Sequence, residues 1–433
     1  MRTRKRAAAE GSPRLAGAER TALAVLAAGA LAIPTIVTSG DDAFRLPKEL
    51  AFRAEAILLL AVAVFWMTSR KRTWRIGRGA ELFVAAAIVG WTLLTTATAT
   101  NRLLSVDSLI TVVAAAVIFI VTCVAAQELS LVALDVLMVG ACANAAIVIL
   151  QETNVWTPLA LTVPGHYASV GLLGNANDVG TFLVAPAIAA VVVAVTAPGA
   201  RRWIYAFIAL LLGGGVVASG TRTAVAAIVA ALIVFALLHS RRAAIVVVAA
   251  LAILALPLLS RSTAIGSGVR DVAAAAKARD YQRLLSERLV PFLAAADMTR
   301  DHPLLGVGPG CFKYHYMAYR VELATHYPAA WTQGWPQNWG EVHNDHLQAA
   351  SETGLPGYAL FLGAIGVAAG IGTRRRAAAA SPEAAFARAL RWPLAAAAFA
   401  ICLGQFPLEL AAPRLMFLSL GALCIAWGRD DAA

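Results

Sequence analysis

Apolar blocks of about 16–20 residues recur along most of this chain, the length a helix needs to cross roughly 30 Å of hydrocarbon at 1.5 Å per residue. The 433 residues are 60% hydrophobic and 14% charged, whereas soluble domains run near 45–50% apolar and about 25% charged. Folding alone cannot hide that much apolar surface from water. The expected class is therefore an all-α polytopic membrane protein.

Twelve spans are expected, near 21–38, 55–69, 80–97, 107–125, 131–150, 178–197, 204–219, 223–239, 243–259, 355–373, 393–408 and 412–427. They divide the chain into a basic tail (1–20), a membrane domain of about nine helices (21–259), a loop subdomain (260–354), a second membrane domain of about three helices (355–427) and a short tail (428–433). The first block is followed by no convincing small-residue cleavage site, so it reads as a retained anchor. Net charge is +11, but the basic residues stand in short runs between apolar blocks, which argues for topology signals and against nucleic acid. With a cytoplasmic N-terminus, the segments on that side hold 21 Lys and Arg and the short opposite connections 6. The remaining 9 of the 36 lie in 260–354, which is long enough to be discounted. Both termini are then expected inside and 260–354 outside.

Within 260–354, residues 271–300 have helical composition with an Arg283–Glu287 (i, i+4) pair, and His302-Pro303 ends the run. Gly306-Val307-Gly308-Pro309-Gly310 is turn-forming. From Phe312 to Trp339 the segment is aromatic-rich, as expected of a surface at headgroup level or one gripping sugar rings. His343-Asn344-Asp345-His346 then opens a helix towards the span at Leu355. Four of the five cysteines sit in apolar blocks and Cys311 stands alone in a polar segment, so neither a disulfide framework nor a cysteine metal site follows.

Polar residues at membrane depth or its edge are costly, which makes them candidates for function. Arg222, in Ser219-Gly220-Thr221-Arg222-Thr223, is either a snorkelling arginine at a helix end or a permanent cation suited to bidentate phosphate binding. Arg288 is one of several arginines in its loop, and a solvated helix face explains much of that stretch. His343 suits proton transfer near neutral pH. A metal site of His343 and His346 with Glu341 or Asp345, or simple capping, remain alternatives. Asn175, in Gly174-Asn175-Ala176-Asn177, reads as a turn and N-cap, and Lys48 as an interfacial anchor. No nucleotide-binding loop, His-Glu-x-x-His or Gly-x-Ser-x-Gly is present, which removes ATP-driven transport and the commonest hydrolases.

The chain resembles the O-antigen ligase and polymerase family of bacterial membrane glycosyltransferases. The residues that carry this are Arg288, the run Asp301-His302-Pro303-Leu304-Leu305-Gly306-Val307-Gly308-Pro309-Gly310-Cys311-Phe312, and His343-Asn344-Asp345-His346-Leu347 with Glu352-Thr353-Gly354. Pro47-Lys48, Gly174-Asn175-Ala176-Asn177 and the turn of Arg222 match more loosely. The resemblance implies a type C-like glycosyltransferase of the bacterial inner membrane that needs no cofactor, metal or nucleotide sugar. It would take a glycan from undecaprenyl diphosphate and pass it, on the periplasmic face and with inversion, to an acceptor hydroxyl on lipid A-core or another glycan. By motif position His343 would be the general base, with Arg222 and Arg288 binding the diphosphate and Asn344, Lys48 and Asn175 contributing to substrate binding. The arginine turn reads Gly-Thr-Arg-Thr where many relatives have a Ser-Arg pair, and nothing separates ligase from polymerase. A lipid-linked-glycan transporter would show ionisable residues near mid-span in several helices, and the expected spans are nearly free of them. A structural protein without chemistry would tolerate loss of His343.

Overall fold

The computed structural model describes residues 17–39, 42–68, 79–126, 129–156, 169–239, 244–245, 247–249, 264–332, 338–370 and 381–428. Among them the regular structure is entirely helical. Eight helices come first: α1 (Gly17–Thr35), α2 (Arg45–Thr68), α3 (Ala80–Thr98), α4 (Arg102–Ala125), α5 (Val132–Glu152), α6 (Ala176–Thr196), α7 (Gly199–Ala218) and α8 (Arg222–Leu238). Shorter helices follow: α9 (Ala264–Ala278), α10 (Tyr281–Leu284), α11 (Leu289–Asp301), α12 (Phe312–His326) and α13 (Ala329–Thr332). The last three are α14 (Asp345–Ala368), α15 (Pro382–Cys402) and α16 (Ala411–Trp427).

Seven of these, α2 to α7 and α15, are long and apolar enough to cross a membrane. Arg20–Thr35, Arg222–Leu238 and Ala411–Trp427 are shorter apolar helices. Most of the span expected at 243–259 lies outside the described residues. Several boundaries differ from expectation, and the helix for the span expected at 393–408 already begins at Pro382. The second span begins at Arg45 instead of residue 55, which sets Glu55 ten residues inside it, buried against Gly29 with both carboxyl oxygens unpartnered. The last two spans are separated by residues 403–410, most of which had been counted within a span.

α6 is the central helix. Sixteen of its 21 residues are buried, against α5, α7, α8, α15 and α16. A helix apolar all round is one enclosed by others. Its N-terminal turn therefore lies at the middle of one end of the bundle, capped by Asn175, whose side chain accepts from the Asn177 amide at 2.8 Å. Thr221 fixes the α7–α8 turn to the same end by donating to the Ala176 carbonyl at 2.9 Å. Gly180 makes this approach feasible, since a Cβ there would sit 2.3 Å from the Thr221 hydroxyl.

A second, smaller core joins α11, α12 and the start of α14, with Met298, Phe312, Tyr316, Leu323 and Val342 buried together. Part of the aromatic run is thus interior and not a surface. The helix expected across 271–300 is broken, because Arg279, Ser286 and Glu287 have left-handed φ of 55°, 53° and 65°. Arg283 consequently pairs with Asp271 at 3.0 Å and not with Glu287.

α14 is kinked at Gly354, whose φ of 71° and ψ of 177° leave the helical region. Every backbone group freed by the kink needs another partner. The Ser351 and Glu352 carbonyls accept from Val307 and Gly308 at 2.9 and 3.0 Å, and the Leu355 amide donates to Pro303 at 2.8 Å. Trp91 donates from Nε1 to the Thr353 carbonyl at 2.8 Å. The Glu352 carboxylate accepts from the Gly310 and Phe312 amides at 2.8 and 3.1 Å. The glycine-rich run is therefore a clamp around the kink in α14.

Candidate functional site

His343 lies two residues before α14, outside its first turn, because Asn344 is the N-cap and Asp345 the first helical residue. The Asn344 side chain accepts from the Leu347 amide at 3.0 Å and donates to the Leu403 carbonyl at 2.9 Å. His343 itself has a left-handed φ of 61°, a conformation that costs a non-glycine residue roughly 1–2 kcal/mol. Its ring is turned onto the edges of Phe406 and Trp339, with centroids 4.4 and 4.9 Å away. Nδ1 is buried without a hydrogen-bond partner among the described residues. Buried polar groups rarely go unpaired, and those that do cluster at functional sites.

Burial pushes the His343 imidazole down from 6.5 to about 3, with Arg288 and Arg45 adding to the effect. The ring is neutral at neutral pH, held so by desolvation and two cations. His346 is packed instead: its Nε2 meets the Phe399 carbonyl at 3.0 Å, and Tyr358, Phe361 and Phe399 surround the ring.

Arg288 precedes α11 and donates from Nη1 to the Gly404 carbonyl at 2.6 Å. Arg222 opens α8, with Nη1 on the Gly268 carbonyl at 2.8 Å and Nη2 on the Ser286 hydroxyl at 2.5 Å. Both anchors are neutral oxygens, and among the described residues neither guanidinium has a carboxylate at ion-pair distance. Burial and the nearby Arg222 hold the Arg288 guanidinium down at about 10, against the pull of Asp178. Two arginines that repel each other, with no carboxylate at ion-pair distance among the described residues, suit an anion.

Residues 403–410 organise these parts, although most of them fall within the span expected at 393–408. Leu403 receives Asn344, Gly404 receives Arg288, Gln405 donates to Thr223 at 3.0 Å, and the Leu408 amide donates to Asp345 at 3.0 Å. Phe406 lies between His343 and the Arg45 guanidinium, which is 5.3 Å from its centroid. Arg45 is in turn paired with Glu341 at 3.1 Å and Asp178 at 3.6 Å. Lys48 is buried, donates to the Ile36 carbonyl at 2.5 Å and feels Asp178 and Asp42. Asn175 stands as the cap of α6.

Beside this cluster a cavity of about 730 Å³ is lined by α2, α3, α4, α14, α15 and α16. Arg45, Asp178 and Glu341 belong to its wall, whereas His343, Arg222 and Arg288 do not. Among the described residues no group of three or more His, Cys, Asp or Glu could hold a metal ion.

Seven helices able to span a membrane, joined to a cationic cluster at one end of the bundle, define a multi-pass α-helical membrane protein. Residues 206–362 match the family model described as O-antigen ligase, which bears out the resemblance read from the motifs. The matched stretch contains Arg222, Arg288 and His343. No curated protein matches the chain.

Proposed function

We propose that this protein transfers a glycan from undecaprenyl diphosphate to an acceptor hydroxyl on lipid A-core or another glycan, at the periplasmic face of the bacterial inner membrane. The observation that carries this reading is the convergence of Arg222 and Arg288, both anchored by neutral oxygens, with a neutral, partly buried His343.

The donor's diphosphate sits against the two guanidinium forks, whose planar donors match phosphate oxygens. The acceptor oxygen attacks the anomeric carbon as its proton passes to the His343 imidazole. The bond from that carbon to the diphosphate oxygen breaks, its electron pair leaves with the diphosphate, and a single displacement inverts the anomeric centre. Negative charge grows on the leaving group where Arg222 and Arg288 already stand. No acid is required to protonate such a leaving group, and the reaction needs no metal.

Purified protein, given an undecaprenyl-diphosphate glycan and an acceptor in the presence of EDTA, is expected to form the transferred product. Activity that vanishes in EDTA and returns with zinc or manganese would overturn the metal-independent reading, and absence of transfer to any glycan acceptor would overturn the function.

A further inference from the structure

The cavity beside the cationic cluster differs from it in charge and in shape. On α14 its lining runs from Asp345 to Ala368, and beyond the kink the stretch from Gly357 to Ala368 covers about 17 Å of helix at 1.5 Å per residue. On α4 it runs from Asp107 to Phe119, about 18 Å by the same measure. Below the polar end its walls are Val84, Ile88, Leu360, Ala364, Ala398 and Phe417. A long apolar slot of this kind, within the volume range of ligand sites, takes a hydrocarbon chain.

The polar end holds five cations, and its three arginines are paired with carboxylates. Arg45 is paired with Glu341 and Asp178, Arg53 with Glu49 and Asp107, and Arg414 with Glu49 at 3.0 Å. Lys48 turns its ammonium to the Ile36 carbonyl, and beside it and Lys313 the lining holds Asp42, Glu81, Glu352 and Glu409, so that acids outnumber bases. Drawing a phosphate to these arginines would require breaking one of their pairs, which leaves a carboxylate uncompensated. Arg222 and Arg288, outside the cavity, carry no such debt.

We propose that this cavity is the acceptor's site: it takes the hydrocarbon chain of a lipid-anchored acceptor and holds an uncharged, hydroxyl-bearing sugar at its mouth. The assignment rests on the transferase reading above. Arg45, on the cavity wall, lies 5.3 Å from the centroid of the Phe406 ring that His343 meets at 4.4 Å, so a sugar hydroxyl at the mouth lies on the route to the base. Donor and acceptor are then sorted by charge, the diphosphate to arginines without an ion pair among the described residues and the acceptor's uncharged sugar to a mouth of paired arginines.

Binding tests this without turnover. Full-length protein in nanodiscs would be photolabelled with a diazirine-bearing alkyl β-glucoside and, separately, with a diazirine-bearing polyprenyl diphosphate. The glucoside is expected to label the cavity face of α14, and Ala364→Trp, which fills the slot, to cut that labelling at least tenfold while leaving diphosphate labelling unchanged. Gly421→Leu is a second filling variant that needs no backbone shift, since a Cβ there meets only the Ala368 Cβ, at 3.7 Å. Diphosphate probe in the cavity, equal labelling by an anionic phospholipid probe, or glucoside labelling indifferent to both variants would each overturn the assignment. Loss of transfer with glucoside labelling intact would instead count against the transferase reading.

Discussion

The Phe406 ring meets the His343 imidazole edge-on at 4.4 Å, with an interplanar angle of 86°, and carries the Arg45 guanidinium 5.3 Å from its centroid. A base normally oriented by a carboxylate is here held by aromatic edges, with a cation behind one of them. Phe406 is fully buried, so Phe406→Ala should cost about 3–5 kcal/mol of stability. Phe406→Leu keeps most of the volume and loses the edge contact. It is expected to lower kcat at least tenfold with donor KM little changed, and an unchanged kcat in steady-state assays would show that the ring does not depend on Phe406.

The pH behaviour follows from the same cluster. Because the folded His343 pKa is near 3 and the ordinary value 6.5, the unfolded chain binds the extra proton between those limits. Its contribution to stability is full above 6.5 and falls as pH drops from 6.5 towards 3. A diphosphate bound at Arg222 and Arg288 offsets the cations that depress the ring and raises its pKa. The acid limb of kcat is therefore expected at higher pH than that of kcat/KM, which reports the free enzyme. Coincident limbs in the two profiles would contradict diphosphate binding beside His343.

Much of this site was readable from residues whose chemistry is local. A polar turn between two apolar blocks exposed Arg222, and the cap sequence at Asn344 marked the start of α14 to within a residue or two. What escaped detection is made of backbone and apolar side chains. The carbonyls of Leu403 and Gly404 leave no signature in sequence, and Leu403-Gly404-Gln405-Phe406-Pro407-Leu408 continues an apolar block without a break. The Arg45–Asp178–Glu341 cluster draws on three distant segments, and only the packing of α2 and the pre-α14 loop against the N-terminus of α6 brings them together. Glu352 appeared as part of a signature and is a structural acceptor for two amides.

Glu352 consequently separates fold from chemistry. Glu352→Ala removes both acceptors and leaves the Gly310 and Phe312 amides unpaired, at about 1–3 kcal/mol each. The thermal unfolding midpoint in detergent should drop by several degrees, and Glu352→Gln, which keeps one carbonyl acceptor, should drop less. Equal stability of Glu352→Ala and wild type would mean that the clamp around Gly354 does not depend on that carboxylate.

Arg222 and Arg288 should not tolerate lysine. The point charge is preserved but the fork is lost, and with it charge-assisted bonds that each contribute about 1.5–3 kcal/mol. Arg222→Lys and Arg288→Lys are expected to weaken polyprenyl diphosphate binding about 10–100-fold by isothermal titration. Binding within twofold of wild type in both variants would exclude bidentate recognition.

The most direct measurement compares His343→Ala with His346→Ala, purified and folded, in single-turnover transfer from an undecaprenyl-diphosphate glycan at saturating acceptor. Loss of a general base costs about 10²–10⁴ in rate, and the packed His346 ring makes its contacts with the Phe399 carbonyl and its aromatic neighbours. The account predicts a fall of that size for His343→Ala with donor binding retained, and substantial activity for His346→Ala. Wild-type turnover by His343→Ala would contradict it.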